Sequence, residues 1–211
     1  MRDALREAHD AFAGAFETVH GHPNRIPMDN FFKVVQGIEG IYQAMFMEMI
    51  ANQLKGDIAN SANSVRQTYL KHPEKCATLQ DLVVHDLKHR GRHEVRADRS
   101  SGTVGLIWAK RNAHFVVMYL ELLHTKPDIA AGECAQETYE KILMPYHGWL
   151  TSKFVSTVMG LAPSREDIYS KLGLDADPLK AIGEFVAVAN PVIAEMQRLL
   201  DEHDCDFPDK V

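Results

Sequence analysis

The chain has 211 residues, a formal net charge of −6, 45% hydrophobic residues and 25% charged residues. This composition is typical of a globular protein, and a chain of this length can bury a core without the help of disulfides or metals. The acidic balance argues against a nucleic-acid-binding protein, since such proteins are usually basic.

The three cysteines, Cys76, Cys134 and Cys205, are widely spaced and match no zinc-binding pattern. We expect them to be reduced thiols of a cytoplasmic protein. The first residues, MRDALREAHD, carry acids where a signal peptide needs an apolar segment, and no run of ~18 uncharged apolar residues follows. The sequence therefore predicts a soluble protein that does not span a membrane.

Apolar residues recur every three or four positions along almost the whole chain, which predicts helices. A stripe from Leu5 to Val19 predicts an N-terminal helix within residues 1–20, and the run HGHPNRIP ends it. The later predicted helices cover residues 29–54, 57–70, 78–90, 104–124, 129–143, 145–159, 164–172 and 178–201.

Local signals support several of these boundaries. Thr78 can cap the helix at 78–90, Gly91 can end it, and residues 92–102 form a polar loop. Pro191 should kink the last helix. We find no strand alternation, so we predict an all-α fold in one domain, residues 1–211, on which the N-terminal helix packs. The helices at 29–54, 104–124 and 178–201 are too apolar to expose a face and should be sandwiched.

The stretch GTVGLIWAKRNAHFVVMYLELLH at 102–124 places Trp108 and Arg111 at the start of an apolar helix. Helical spacing puts both on one face with Asn112, Phe115 and Tyr119. Such a face is either part of the core with a solvent-exposed first turn, or the mouth of a binding site with an apolar wall.

Two further stripes carry polar side chains. Asp57, Ser61 and Ser64 share one face of the predicted helix 57–70. Asp57 lies near the predicted start of this helix. Its carboxylate could be there because the helix dipole favours it or because it binds a ligand, and the two explanations are about equally consistent with the sequence. His147 lies on the inward face of the predicted helix 145–159, where a histidine is usually a hydrogen-bonded core residue.

Trp149 lies on the polar side of the same predicted helix, together with Lys153. An indole on a polar face indicates an interface or a partner, and we predict that both residues dock on a membrane.

His85 and His89 have the i, i+4 spacing of metal ligands, but the intervening Glu of an HExxH motif is absent and Lys88 and Arg90 flank the pair. We therefore predict no metal site. No nucleophile elbow, phosphate loop or dinucleotide motif occurs either, so we predict neither an enzyme nor a cofactor.

Three stretches in this order resemble the glycolipid transfer protein family: KGDI at 55–58, GLIWAKR at 105–111 and YHGW at 146–149. The resemblance extends from about Phe31 to the terminal DKV. It implies a two-layer sandwich of about eight helices that holds one lipid, with its headgroup in a surface pocket and its hydrocarbon chains in an apolar tunnel between the layers.

By this resemblance, Trp108 stacks on a sugar, Asp57 accepts hydrogen bonds from the headgroup and amide, and His147 contacts the amide. The predicted headgroup site comprises Asp57, Ser61, Ser64, Trp108, Arg111 and His147. The predicted tunnel is lined by Phe31, Phe32, Val35, Ile38, Tyr42, Met45, Phe115, Tyr119, Phe154 and Val155.

The family commonly has asparagine and lysine where Ser61 and Ser64 stand, and serine is too short to reach the same sugar hydroxyls directly. The sugar and the affinity therefore do not follow from the resemblance. We expect a neutral glycosylceramide, since Arg111 and Lys110 are the only cations predicted near the mouth.

The predicted function is transfer of a glycosphingolipid between membranes by a monomer that touches the membrane surface transiently. One alternative is a carrier of the ceramide-1-phosphate type, although such relatives have a basic residue where Trp108 stands. The other is a lipid sensor that presents its lipid to a partner.

Overall fold

A computed structural model describes residues 4–46, 48–149, 151–153, 155, 162–174 and 177–210, apart from the side chains at 49, 50 and 53. Its helices are α1 (Ala4–Ala13), α2 (Met28–Met45), α3 (Glu48–Lys71), α4 (Leu79–Arg90), α5 (Arg92–Ala97), α6 (Gly102–Thr125), α7 (Ala131–Ile142), α8 (Arg165–Leu172) and α9 (Pro178–Glu202). Short 3-10 helices cover Pro73–Lys75 and Met144–Tyr146. The predicted all-α sandwich is confirmed.

The N-terminal helix is shorter than predicted. It ends at Ala13, and a hairpin follows in which β1 (Glu17–Val19) pairs antiparallel with β2 (His22–Arg25). The turn residues His20 and Gly21 have φ values of 51° and 79°, the left-handed backbone that a tight hairpin needs. Strands this short and exposed leave almost no alternation of apolar residues, so the sequence does not predict them.

The chain breaks between α2 and α3 at Phe46, not near residue 55 as predicted. Phe46 has an extended backbone, with φ −126° and ψ 163°, and its ring packs 6.3 Å from that of Phe115. Apolar periodicity continues across this break, so periodicity could not locate it. As a result Asp57 lies well inside α3, and the dipole of a helix start does not explain it.

The predicted signals around α4 are confirmed. Thr78 and Asp81 form a reciprocal capping box, and Gly91 ends the helix with φ 79°. Residues 92–97, predicted as loop, instead form α5. Helix α9 runs continuously through Pro191.

Helix α6 is the centre of the fold. Most of its side chains are buried, and it packs against α3, α7 and α9. Helix α1 packs on α2 and α9, as expected for the N-terminal helix, while the single-domain organisation of residues 1–211 stays a prediction. No described helix is long and apolar enough to cross a membrane.

The predicted tunnel residues on α2 and α6 are buried and pack against one another. The rings of Tyr42 and Phe115 lie 6.3 Å apart, and those of Phe46 and Tyr119 lie 6.2 Å apart. The predicted tunnel residues that are buried are Phe31, Phe32, Val35, Ile38, Tyr42, Met45, Phe115 and Tyr119. Val155 is half-buried against the core, and Phe154 lies outside the described residues. The described residues show no open tunnel, so the tunnel remains a prediction.

Candidate functional site

The rings of Trp108 and His147 lie nearly parallel at the N-terminal end of α6. Their ring centroids are 6.1 Å apart and the ring planes are inclined by 12°. Trp108 is half-buried in the second turn of α6. The fold therefore brings two of the predicted headgroup residues together across 39 positions of sequence.

His147 is not part of a helix, contrary to the prediction of a helix over 145–159. It follows the 3-10 helix Met144–Tyr146 with an extended backbone, φ −96° and ψ 143°. Trp149 and residues 151–153 have helical backbone, and residues 156–159 lie outside the described part of the chain. The prediction that His147 lies on the inward face of this helix is wrong, because the helical residues start only after His147.

A tyrosine orients the His147 ring. The Tyr139 hydroxyl oxygen on α7 lies 2.9 Å from His147 Nδ1. Burial lowers the pKa of His147 below its ordinary value of 6.5, so the imidazole is neutral at pH 7 and carries one N–H. A neutral ring held at Nδ1 can offer its Nε2–H to a ligand carbonyl.

Arg111 is buried, with 1% of its surface exposed. Its Nη2 donates to Asp206 Oδ1 at 2.8 Å and to the Phe207 carbonyl at 2.7 Å. The guanidinium carbon also lies 3.4 Å from the Tyr146 ring centroid and 5.1 Å from that of Trp108. Arg111 thus ties the C-terminal segment to the aromatic residues of the mouth, while its buried Nε has no hydrogen-bond partner among the residues that the structure describes.

Lys110, expected as a possible cation at the mouth, points elsewhere. Its ammonium donates to Gln197 and Asp206, and the side chain is buried. Burial lowers the pKa of Lys110, and the Arg111 charge adds to that, while the Asp206 charge opposes it.

A cavity of about 310 Å³ lies beside Trp108 and Arg111. It is enclosed by α5, the first turns of α6 and the C-terminal segment; its other lining residues are Arg96, Ala97, Arg99, Val104, Ile107, Phe207, Asp209 and Lys210. Arg96 donates two hydrogen bonds to the Asp209 carboxylate, at 2.8 and 2.9 Å.

The expectation of a mouth with few cations was wrong. Arg96 and Arg99 belong to a stretch predicted as an ordinary polar loop, and Lys210 lies in the terminal segment. No local signal connects either stretch with Trp108. The only clue in the sequence was the density of arginine in RHEVRADR at 92–99.

The predicted polar stripe on α3 lies where α3 crosses α6. Ser61 Oγ donates to the Asp57 carbonyl at 2.8 Å, and Ser64 Oγ donates to the Asn60 carbonyl at 3.3 Å. A Cβ added to Gly105 of α6 would lie 2.8 Å from the Ser64 Cβ. The stripe therefore abuts α6 one turn before Trp108, with both serines half-buried.

Asp57 is exposed and lies near the buried Tyr42. Burial raises the pKa of Tyr42, and the negative charge of Asp57 raises it further. The Tyr42 hydroxyl donates to Asn112 Oδ1 at 2.9 Å, and Asn112 Nδ2 donates to the Trp108 carbonyl at 2.8 Å. This chain of hydrogen bonds connects the core of α2 to the mouth at Trp108.

Trp149 is 77% exposed, two residues after His147. Lys153 Nζ lies 5.4 Å from the centre of its ring. The predicted pair is thus adjacent and accessible close to the mouth.

The rings of His85 and His89 contact each other at a tilt of 42°, with centroids 4.3 Å apart, and His72 contacts His85 at a tilt of 44° and 4.6 Å. Burial lowers the pKa of His85, and the neighbouring His89, His72 and Lys75 lower it further, against the opposing charge of Asp86. Among the described residues, no three His, Cys, Asp or Glu side chains are placed to hold a metal ion.

The fold and the site define a largely helical protein with a cavity beside Trp108, at the start of its central helix. The chain belongs to the glycolipid transfer protein family: the model of that family, Glycolipid transfer protein (GLTP), matches residues 26–174. The resemblance inferred from the sequence is thereby confirmed.

Similar proteins agree with this membership. The chain is 27% identical over 161 residues to the zebrafish (Danio rerio) Pleckstrin homology domain-containing family A member 8, covering 76% of this chain and 28% of that protein. It is 29% identical over 136 residues to Glycolipid transfer protein 1 of Arabidopsis thaliana, covering 63% of this chain and 65% of that protein. The chain thus spans less than two thirds of either relative.

Among solved structures, one of FAPP2, described as selecting simple glycosphingolipids using the GLTP fold, superposes with a TM-score of 0.82. The identity is 19%, and the superposition covers 99% of both chains. At 19% identity, this structural similarity establishes the fold alone.

Proposed function

We propose that this protein carries one glycosphingolipid at a time between membranes and performs no chemistry on it. The observation that carries the proposal is the parallel pair of Trp108 and His147 beside a cavity, near the start of a helix that is buried along most of its length. Family membership and the name of the Arabidopsis relative, Glycolipid transfer protein 1, support it.

The mouth suits a sugar joined to an amide. A hexose presents an apolar C–H face that packs on a flat indole, as Trp108 provides. The amide of a sphingolipid has one N–H and one C=O. In our proposal Asp57 accepts the N–H and the His147 N–H donates to the C=O, with Tyr139 fixing the tautomer.

The hydrocarbon chains would enter between α2 and α6. There the rings of Tyr42, Phe46, Phe115 and Tyr119 pack on one another. Each CH₂ moved from water into this apolar region stabilises the complex by ~0.8 kcal/mol. A long chain can therefore displace these ring contacts and open the tunnel.

Trp149 and Lys153 would dock the mouth on a membrane surface. An exposed indole prefers the bilayer interface, and a lysine near anionic headgroups adds about 1 kcal/mol. We further propose a monomer in the cytoplasm, which fits three cysteines that are all free and buried.

A ceramide-1-phosphate carrier is the second candidate, favoured by the arginines that line the cavity. A lipid sensor is the third, and transfer kinetics separate it from a carrier.

The test is transfer of fluorescent glucosylceramide from donor to acceptor vesicles at catalytic protein concentration. We expect many lipids moved per protein, with Trp108→Ala slowing transfer at least tenfold through loss of the stacking surface. The matched control is Phe16→Ala, a partly buried aromatic of the N-terminal segment. Stoichiometric binding without turnover would favour the sensor, and the absence of binding would refute the proposal.

A further inference from the structure

The cavity beside Trp108 is basic, although the whole chain is acidic. Four of its lining residues are cationic, namely Arg96, Arg99, Arg111 and Lys210, and Asp209 is the carboxylate among them. The formal charge of the whole chain is −6. Such a local reversal of sign favours an anionic ligand, because a concave wall concentrates the field of its charges.

Two of these cations are already neutralised within the protein. Arg96 pairs with Asp209 at 2.8 Å, and Arg111 pairs with Asp206 at 2.8 Å. Arg99 and Lys210 form no ion pair with any residue that the structure describes. These two charges are therefore available to a ligand.

Arg111 adds a buried donor to the same wall. Its Nε–H has no acceptor among the described residues, although the side chain is 1% exposed. A buried donor without an acceptor is costly, so an oxygen atom of a ligand that reached it would gain a charge-assisted hydrogen bond.

The aromatic part of the wall restricts the kind of anion. Trp108 and Phe207 offer apolar surface, which a bare inorganic ion does not use. A volume of about 310 Å³ lies at the lower end for small-ligand sites, which span ~300–1,000 Å³. The cavity therefore suits one small ring that bears a negative group.

We propose that the preferred headgroup is an acidic sugar, a hexose that carries a sulfate or carboxylate, in which Trp108 packs against the ring and Arg99 and Lys210 bind the anionic substituent. This proposal rests on the proposed lipid-transfer function and replaces the expectation of a neutral headgroup.

The experiment compares vesicle transfer of galactosylceramide and of its 3-sulfate with identical chains. Phosphatidylglycerol is added to the neutral vesicles so that the surface charge is equal. We expect the sulfated lipid to move about tenfold faster at 50 mM salt, since a charge-assisted pair of this kind contributes about one decade of affinity. The ratio should shrink at 500 mM salt, where exposed charges are screened.

Arg99→Gln should lower the ratio of sulfated to neutral transfer toward one. Lys88→Gln, which removes an exposed cation from α4 away from the cavity, should leave the ratio unchanged. An unaltered ratio in Arg99→Gln, or a wild-type ratio of one, would overturn the inference while the transfer function stands.

Three further outcomes are decisive. If neither sugar lipid binds or moves, the proposed function itself fails. If ceramide-1-phosphate moves faster than both, the sugar-stacking role is wrong. If millimolar inorganic sulfate raises the melting temperature as much as the sulfated lipid does, the cavity is a site for free anions and the inference is overturned.

Discussion

The backbone of Gly105 on α6 passes directly against the carbonyl group of Ser61 on α3, where a Cβ added to Gly105 would lie 2.5 Å from the carbonyl oxygen. No side chain can occupy that space without separating the two helices. The same crossing holds Ser64 and precedes Trp108 by one turn. The position of the polar stripe on α3 relative to the mouth therefore depends on the absence of a side chain at residue 105.

Gly105→Ala should destabilise the protein by about 1–3 kcal/mol, the typical cost of overpacking a close contact. Gly56→Ala is the matched control, since a Cβ there would meet no described atom within 4 Å. Gly56→Ala should stabilise the protein by ~0.5–1 kcal/mol, because alanine favours the helical backbone of α3 more than glycine does. Urea unfolding of both variants measures the difference, and equal effects would contradict the close crossing.

Asp57→Val should abolish lipid uptake and change the free energy of unfolding by less than about 0.5 kcal/mol, because an exposed carboxylate contributes little to core packing. Glu48→Val, an exposed carboxylate at the start of the same helix, is the control and should bind lipid normally. Lipid-dependent tryptophan fluorescence measures uptake. A lipid-bound crystal structure with Asp57 and His147 more than ~10 Å apart would refute their shared contact with one amide.

Lipid binding should persist as the pH falls from 7 to about 6.5 and weaken only at lower pH. Burial lowers the folded-state pKa of His147 below its ordinary value of 6.5. The ring therefore stays neutral at a pH at which an exposed histidine is already protonated. Stability should also fall below pH 6.5, because the unfolded chain then binds a proton that the folded protein does not. His147→Asn should remove part of this pH dependence of stability, and an unchanged slope in calorimetry would contradict the assignment.

Trp149→Ala should slow transfer between vesicles severalfold while leaving unchanged the binding of a water-soluble short-chain lipid. The Trp149 indole is 77% exposed, so the substitution removes a contact with the membrane and no contact with the bound lipid. Leu70→Ala removes another exposed apolar side chain, 60% accessible and distant in sequence, and should leave transfer unaffected. Equal slowing by both variants would indicate nonspecific adhesion to the membrane.

Arg111→Met should destabilise the fold by about 3 kcal/mol, since it removes one partner of a largely buried ion pair. Lys110 and Gln197 remain beside Asp206 and limit the loss. Arg92→Met breaks the exposed pair with Asp204 and should cost less than about 1 kcal/mol. Similar melting temperatures for the two variants would show that Arg111 is not structural.

Local chemistry in the sequence determined the helices and many of their ends. Thr78 with Asp81 forms a capping box, and Gly91 adopts a positive φ. Both are local signals that do not depend on distant parts of the chain, so α4 could be placed from sequence alone. The apolar length of α6 likewise implied a central helix. The order of the KGDI, GLIWAKR and YHGW stretches was sufficient to identify the family, as its match to residues 26–174 confirms.

Tertiary structure alone decided where α2 ends and which residues share the mouth. At the break the ring of Phe46 packs on that of Phe115, a long-range contact that apolar periodicity does not encode. Arg111 could be placed on the face of Trp108, but its burial depends on Asp206, 95 residues further along. Arg99 reaches the same cavity because α5 and the C-terminal segment pack beside α6. Helical spacing describes one helix at a time, whereas a binding site is assembled from several elements by long-range packing.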